Sequence, residues 1–174
     1  SGAYYYNQEI EINGQHIGKV QSYSTDNYSA WADEYIRTQT SEKPWMLWLC
    51  YAGTHGPFTP ANRHRSQYKN AKIPAPADIY GPRTGKPSHV KERSDFTPNS
   101  NGEPEIIKKD KDSGKGLHGN TLSDWVRQYN QAVTSIDEGV GRVIKALKET
   151  GQYDNTLIIY TSDQGQAWGQ HGYK

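Results

Sequence analysis

Two short apolar runs and one long amphipathic stretch set the pattern of this chain. Residues 45–51 and 157–160 are apolar at nearly every position, and the second holds Leu157, Ile158, Ile159 and Tyr160 in a row. Runs of that length predict strands covered on both faces, as in a parallel sheet. Between them, residues 121–150 keep Leu122, Val126, Tyr129, Val133, Ile136, Val140, Ile144 and Leu147 on one helical face. Thr121, with Asp124 three residues on, approaches a capping box, and Gly151 suits the left-handed position that ends a helix. Gly139 and Gly141 each weaken helix propensity by about 1 kcal/mol relative to alanine, a cost that close approach to the sheet would explain. Strand, connection, helix and strand make a βαβ pattern with a long insertion. The predicted fold class is therefore α/β, a mostly parallel sheet flanked by helices.

The first forty residues add a hairpin and a helix. Alternation in Glu9-Ile10-Glu11-Ile12, then Asn13-Gly14, then a return over residues 15–20, is a strong hairpin signal. Residues 25–39 place Tyr28, Trp31, Ala32, Tyr35 and Ile36 on one face, with Thr25 or Asp26 as the expected cap. Residues 57–118 change character. Eight of the nine prolines fall there, and residues 61–118 carry a net charge of +5 within a chain of net +1. A short helix is expected over residues 61–68, and the remainder reads as a long basic surface loop. That loop is either a solvated insertion or a rim that attracts an anionic substrate, with Lys86, Lys91 and Arg93 as the steering cations. The run Lys108-Lys109-Asp110-Lys111-Asp112 is mixed in sign and expected to be solvated.

Composition narrows the function classes only a little. A net charge of +1 gives no global signal for nucleic acid, and no apolar run is long enough to span a membrane. Thirteen Tyr and five Trp stand in for scarce aliphatics, and such side chains serve either packing or a sugar-like ligand. The single cysteine, Cys50, excludes an internal disulfide and reads as a buried strand residue.

Candidate chemistry gathers at the ends of the two apolar runs. The second ends in Ser162-Asp163-Gln164-Gly165, and ligands of open α/β sheets bind outside the carboxyl ends of strands. Asp163 and Gln164 offer only hard oxygen donors, which suits Ca2+ or Mg2+ better than zinc. The residues alone leave a structural turn and a metal site both open. The first run ends in Thr54-His55-Gly56-Pro57, where flanking turn residues would present the imidazole outward. A loop hydrogen-bonding role and a catalytic one stay open for His55.

These pieces together resemble the sulfatase family, within the alkaline phosphatase-like superfamily. The resemblance rests on Lys43-Pro44-Trp45 through His55-Gly56-Pro57-Phe58, Asp137-Glu138-Gly139-Val140-Gly141-Arg142-Val143, Asp154-Asn155-Thr156 through Ser162-Asp163-Gln164-Gly165, and Gly169-Gln170-His171-Gly172. It implies hydrolysis of a sulfate ester, by a formylglycine made from a cysteine or serine, with one Ca2+ holding the sulfate. It implies that Asp163 and Gln164 are calcium ligands and that His55 contacts the sulfate or the leaving oxygen. His171 would lie near the site, in a catalytic or a structural role, and Lys174 takes the part of a sulfate-binding lysine. The expected partner is a sulfate ester, a sulfated polysaccharide among the options, and the expected location is periplasmic or secreted.

The departures matter as much. The family's Cys/Ser-x-Pro/Ala-x-Arg nucleophile motif and the aspartate pair that completes the calcium site have no match here. Residues 1–174 are therefore expected to be a central part of one sulfatase catalytic domain, cut at both ends, with an insertion at about 61–118. The remaining calcium ligands and the formylglycine are expected outside this chain, and the isolated chain is expected to be inactive. Two rivals stand beside this reading. One is a phosphodiesterase or phosphonate hydrolase of the same superfamily, whose members usually hold two transition metals. The other is a binding protein that keeps the fold without the nucleophile.

Overall fold

The computed structural model describes residues 4–40, 42–107 and 119–174. The run at 108–112 lies outside the described residues, as does the end of the basic segment. The chain forms two compact units, one comprising the residues up to Arg65 with Gln131–Ile159, the other Ser66–Asn130 with Tyr160–Lys174.

The first unit opens with the expected hairpin, β1 (Gln8–Ile12) against β2 (Gln15–Val20), antiparallel. Asn13 (φ 51°) and Gly14 (φ 80°) both occupy the left-handed region that a tight two-residue hairpin turn requires. Helix α1 (Ser24–Thr38) also forms, but its cap is Tyr23, without a side-chain hydrogen bond, and not Thr25 or Asp26. Its buried face is Ser24, Thr25, Ser29, Ala32 and Ile36, so the expected stripe has shifted toward its small and polar side. Of that stripe, Trp31 is exposed and pairs with Tyr28.

The reason lies in α3 (Leu122–Glu149), whose residues 131–149 belong to this unit. Small buried residues, Ala132, Ser135 and Ala146, line it. Thr121 caps it as expected: its Oγ1 accepts from the Asp124 amide at 3.1 Å, and its own amide reaches Asp124 Oδ2 at 3.3 Å. At the other end Gly151 (φ 70°) closes a Schellman motif, with Gln152 N–H on Leu147 O at 2.8 Å and Gly151 N–H on Lys148 O at 3.1 Å.

The two glycines of α3 have opposite packing. A methyl on Gly139 would stand 2.3 Å from Ser29 Oγ and 2.6 Å from Tyr51 Oη, whereas one on Gly141 would meet nothing within 4 Å. Gly139 is what lets α1 and Tyr51 approach α3. Gly141→Ala is expected to stabilise the fold by up to about 1 kcal/mol through helix propensity. Gly139→Ala gains the same propensity but forces overpacking of about 1–3 kcal/mol, and should lower stability. Thermal melts of the two variants check this; equal shifts of the same sign would contradict it.

An ionic staple joins the same elements. Arg63 donates to Asp26 at 2.7 and 2.8 Å and to Glu138, while the buried His64 Nε2 lies 3.1 Å from Glu138 Oε2. Arg142 and Arg37 both pair with Asp33, at 2.9 and 2.6 Å. Burial would raise the Glu138 carboxyl, but hydrogen bonds from Arg63 and His64 outweigh it and hold the group below its ordinary value. A carboxyl depressed on folding adds stability above its unfolded pKa, about 4.3 for glutamate, and loses it as pH falls through the folded value. Arg63→Met should therefore be less stable than wild type at pH 7, and the gap should close as the pH falls below about 4. Melting temperatures from pH 7 to 2.5 read this directly; a gap that stays constant would refute the staple.

The apolar run at 45–51 departs from expectation. It joins no ladder among the described residues and is not buried on both faces. Its side chains alternate. Trp45 and Leu47 pack on the Ile36, Ala146 and Leu147 cluster, and Tyr51 meets Ser29 Oγ at 3.1 Å. Met46 and Trp48 are 78% and 81% exposed, and Cys50 is exposed rather than buried. The run at 157–160 also lies outside any ladder, with Leu157 85% exposed. Sheets among the described residues are two antiparallel pairs. Consecutive apolar residues signal a strand that will be covered, and here the described residues cover one face only.

The second unit replaces the expected loop with a built structure. The short helix expected over 61–68 is reduced to a 3-10 turn, Asn62–His64, which belongs to the first unit. Beyond it lie α2 (Ser88–Lys91) and a hairpin of β3 (Phe96–Pro98) with β4 (Pro104–Ile106). Ile79, Phe96, Ile106 and Leu122 form its core, with Trp125 and Trp168 packed against them. Arg83 in the same unit is also buried, at 5% exposed. Its guanidinium donates to the carbonyls of Asp78, Ile79, Val90, Lys91 and Arg93 at 2.7 to 3.4 Å, tying both limbs of the 78–93 segment together.

Candidate functional site

His55 belongs to the first unit. The hydroxyl of Tyr5 and the amide of Phe58 both donate to its carbonyl, the latter at 3.1 Å, and its own amide reaches Ala52 O at 3.2 Å. The backbone is thus pinned while the side chain is exposed. The imidazole stacks on Tyr4, with ring centroids 4.3 Å apart and planes 23° apart. Nδ1 lies 2.8 Å from Gly56 O. A carbonyl only accepts, so Nδ1 carries the proton and Nε2 is the nitrogen free to exchange one. The outward presentation read from the flanking turn residues is what the structure shows.

The other candidates belong to the second unit. Asp163 and Gln164 are both exposed. Ser162 Oγ donates to Gln164 O at 2.6 Å and shapes the turn. Among the described residues, no hydrogen bond or ion pair engages the Asp163 carboxylate or the Gln164 side chain, so the donors expected to hold a metal are uncommitted. No group of three or more His, Cys, Asp or Glu that could hold a metal occurs among the described residues. A hard cation would therefore find two suitable side chains here, offering at most three oxygens against the six to eight that Ca2+ takes.

His171 sits in a turn built from left-handed residues: Gly169 (φ 91°), His171 (φ 54°) and Gly172 (φ 76°). Both glycines are required sterically. A methyl on Gly169 would come within 2.8 Å of Ile79 Cδ1, and one on Gly172 within 2.1 Å of Arg83 Nη2. The His171 amide donates to Asp78 Oδ1 at 3.2 Å, and its Nδ1 pairs with Asp78 Oδ2. The hydrogen bond from the His171 amide holds the Asp78 carboxyl below the ordinary range, and the ring contact adds to it. Lys174 is anchored by its amide to Asp95 Oδ2 at 3.2 Å, and its side chain is exposed. Of the three cations proposed to steer an anion, Arg93 is partly spent: it pairs with Asp95 and lies over the Tyr173 ring at 4.8 Å.

Sequence reasoning missed Tyr4, Asp78, Arg83 and Asp95. Tyr4 stands in a conspicuous tyrosine triplet. Asp78 had no signal, since its partner lies 93 positions away.

Comparison with known proteins covers the whole described chain. A family model described as Sulfatase matches residues 2–174. The chain is 24% identical to an N-acetylglucosamine-6-O-sulfatase of Bacteroides thetaiotaomicron, over 97% of this chain and 38% of that protein. It is 33% identical to the multifunctional alkaline phosphatase superfamily protein PehA of Trinickia caryophylli, over 74% of this chain and 25% of that one. A solved structure of a protein bound to its substrate D-glucosamine-2-N,6-O-disulfate superposes with a TM-score of 0.77 at 24% identity, covering 97% of this chain and 42% of that chain. The likeness establishes the α/β fold class, and this chain spans well under half the length of these relatives.

Proposed function

Because this chain belongs to the sulfatase family, we propose that the protein carrying it hydrolyses sulfate esters, with a sulfated carbohydrate as the substrate class. The family match across residues 2–174 carries the reading. The names of the Bacteroides relative and of the sugar bound by the structural neighbour support the carbohydrate. The reaction takes R–O–SO3− and water to an alcohol and sulfate.

Each candidate residue then has a distinct task. Asp163 and Gln164 would hold Ca2+, with the ion's other donors supplied from outside the described residues. Bound calcium polarises a sulfate oxygen as a Lewis acid. His55, its Nδ1 proton committed to Gly56, offers Nε2–H to the leaving oxygen when the ring is charged. Lys174 places a cation for the sulfate. Cys50 lacks the Cys-x-Pro/Ala-x-Arg context, so the formylglycine comes from outside this chain. Export to the periplasm or beyond the cell fits a polymeric sulfated substrate, and cell fractionation tests that placement.

The relative with 33% identity, named as a multifunctional alkaline phosphatase superfamily protein, keeps a phosphodiesterase or phosphonate hydrolase of that superfamily as the second reading. The uncommitted Asp163 and Gln164 pair suits one hard cation rather than two transition metals. The deciding experiment assays the intact protein on glucosamine 6-sulfate and on bis(p-nitrophenyl) phosphate, with and without a calcium chelator. Sulfate release that the chelator abolishes is expected. Diester cleavage without sulfate release would replace this reading with the second. Sulfate release by the isolated 174-residue chain would overturn the assignment of the nucleophile to another part of the protein.

A further inference from the structure

The turn at 169–172 is more constrained than a connecting turn needs to be. His171 is a non-glycine residue at φ 54°, a conformation costing about 1 kcal/mol that persists only where the surroundings impose it. The turn's own backbone bonds, Gly172 N–H to Gly169 O at 2.9 Å and Gly169 N–H to Tyr173 O at 2.8 Å, bracket it, and one carboxylate holds His171 from outside the turn. Asp78 Oδ1 takes the His171 amide and Asp78 Oδ2 takes the ring Nδ1, so backbone and imidazole are fixed together. Asp78 is itself held, since its carbonyl accepts from buried Arg83 Nε at 2.9 Å and its neighbour Ile79 is in the core.

Stability alone does not account for this arrangement. The pair is half exposed, 47% for His171 and 41% for Asp78, and such pairs contribute about 0–1 kcal/mol. Glycine or asparagine would make the turn with less strain. The imidazole adds one thing that they lack, a second ring nitrogen. An ionised carboxylate only accepts, so Nδ1 bears the proton and Nε2 is left as the exchangeable nitrogen.

We propose that Asp78 is the positioning residue for His171, fixing the ring through Nδ1 so that Nε2 is presented to the sulfated substrate. This rests on the sulfate ester reading above. Asp78 does not touch substrate; it acts through His171.

The test compares Asp78→Asn, His171→Ala and the double variant in the intact protein, by kinetics on glucosamine 6-sulfate and by 15N spectra of the imidazoles. In wild type, His171 should show Nδ1 protonated when neutral. Asp78→Asn should lose that preference and lower kcat by about 10- to 100-fold, with little change in KM or melting temperature. The double variant should be no slower than His171→Ala alone. A lowered melting temperature with unchanged kcat and unchanged tautomer would make Asp78 a turn-closing residue and overturn the proposal. An intact wild-type protein that releases no sulfate sinks the functional reading instead, while one that turns over and is indifferent to Asp78→Asn sinks only this inference.

Discussion

In the intact protein, His55→Ala is expected to lower kcat on sugar sulfates by about 10^2- to 10^4-fold, the range for loss of a general acid, and to leave the melting temperature near wild type. The stability expectation follows from exposure: the side chain stacks on Tyr4 and bonds its own neighbour's carbonyl, while the loop is pinned through the His55 carbonyl and amide, which alanine keeps. The chemical expectation follows from the free Nε2. An acid matters most where the leaving alcohol is poor. The loss should be large for glucosamine 6-sulfate and much smaller for p-nitrophenyl sulfate, whose phenolate leaves without help. Equal losses on both substrates would remove the acid role and leave His55 as a sulfate contact.

Arg83→Met should cost about 3–5 kcal/mol, the largest stability effect of any single change considered for the second unit. The guanidinium is buried and its fork serves five carbonyls on two limbs of one segment. Methionine fills much of the volume but leaves those carbonyls without donors, and each buried orphan costs about 1–3 kcal/mol unless water reaches it. Arg83→Lys recovers part of the charge but not the planar fork, so it should fall between the two. The local signature is faster amide exchange over residues 79–93, and because Arg83 Nη2 lies where a Gly172 methyl would, the His171 turn should loosen with it. A denaturation midpoint unchanged in Arg83→Met would refute the hub.

What could be read from sequence follows the range of the interactions. The Asn13-Gly14 hairpin, both ends of α3 and the extent of α1 rest on contacts within a few residues, and they formed as expected. The buried face of α1 did not, because it was set by Gly139 and Tyr51 on distant segments. The Pro-rich basic stretch read as a loop since its strands are three residues long and carry Pro98 and Pro104 opposite each other. Only the turn between them, with Asn99 Oδ1 accepting from the amides of Asn101 and Glu103, was locally encoded. His55, Asp163 and Gln164 stood out as candidates at the ends of the two apolar runs, whereas His171 and Lys174 came from the resemblance alone. Asp78, which orients one of them, was invisible until the chain had folded.

The alternation along residues 45–51 bears on how this polypeptide behaves in a tube. One set of side chains is seated on the helices, and the other set, Met46 and Trp48, faces water together with Leu157 and Ile159 of the second run. Open backbone edges beside apolar side chains invite pairing between molecules. Produced by itself, the chain should be poorly soluble at high concentration for a reason that has nothing to do with misfolding: colloidal stability would be lost by a correctly folded surface.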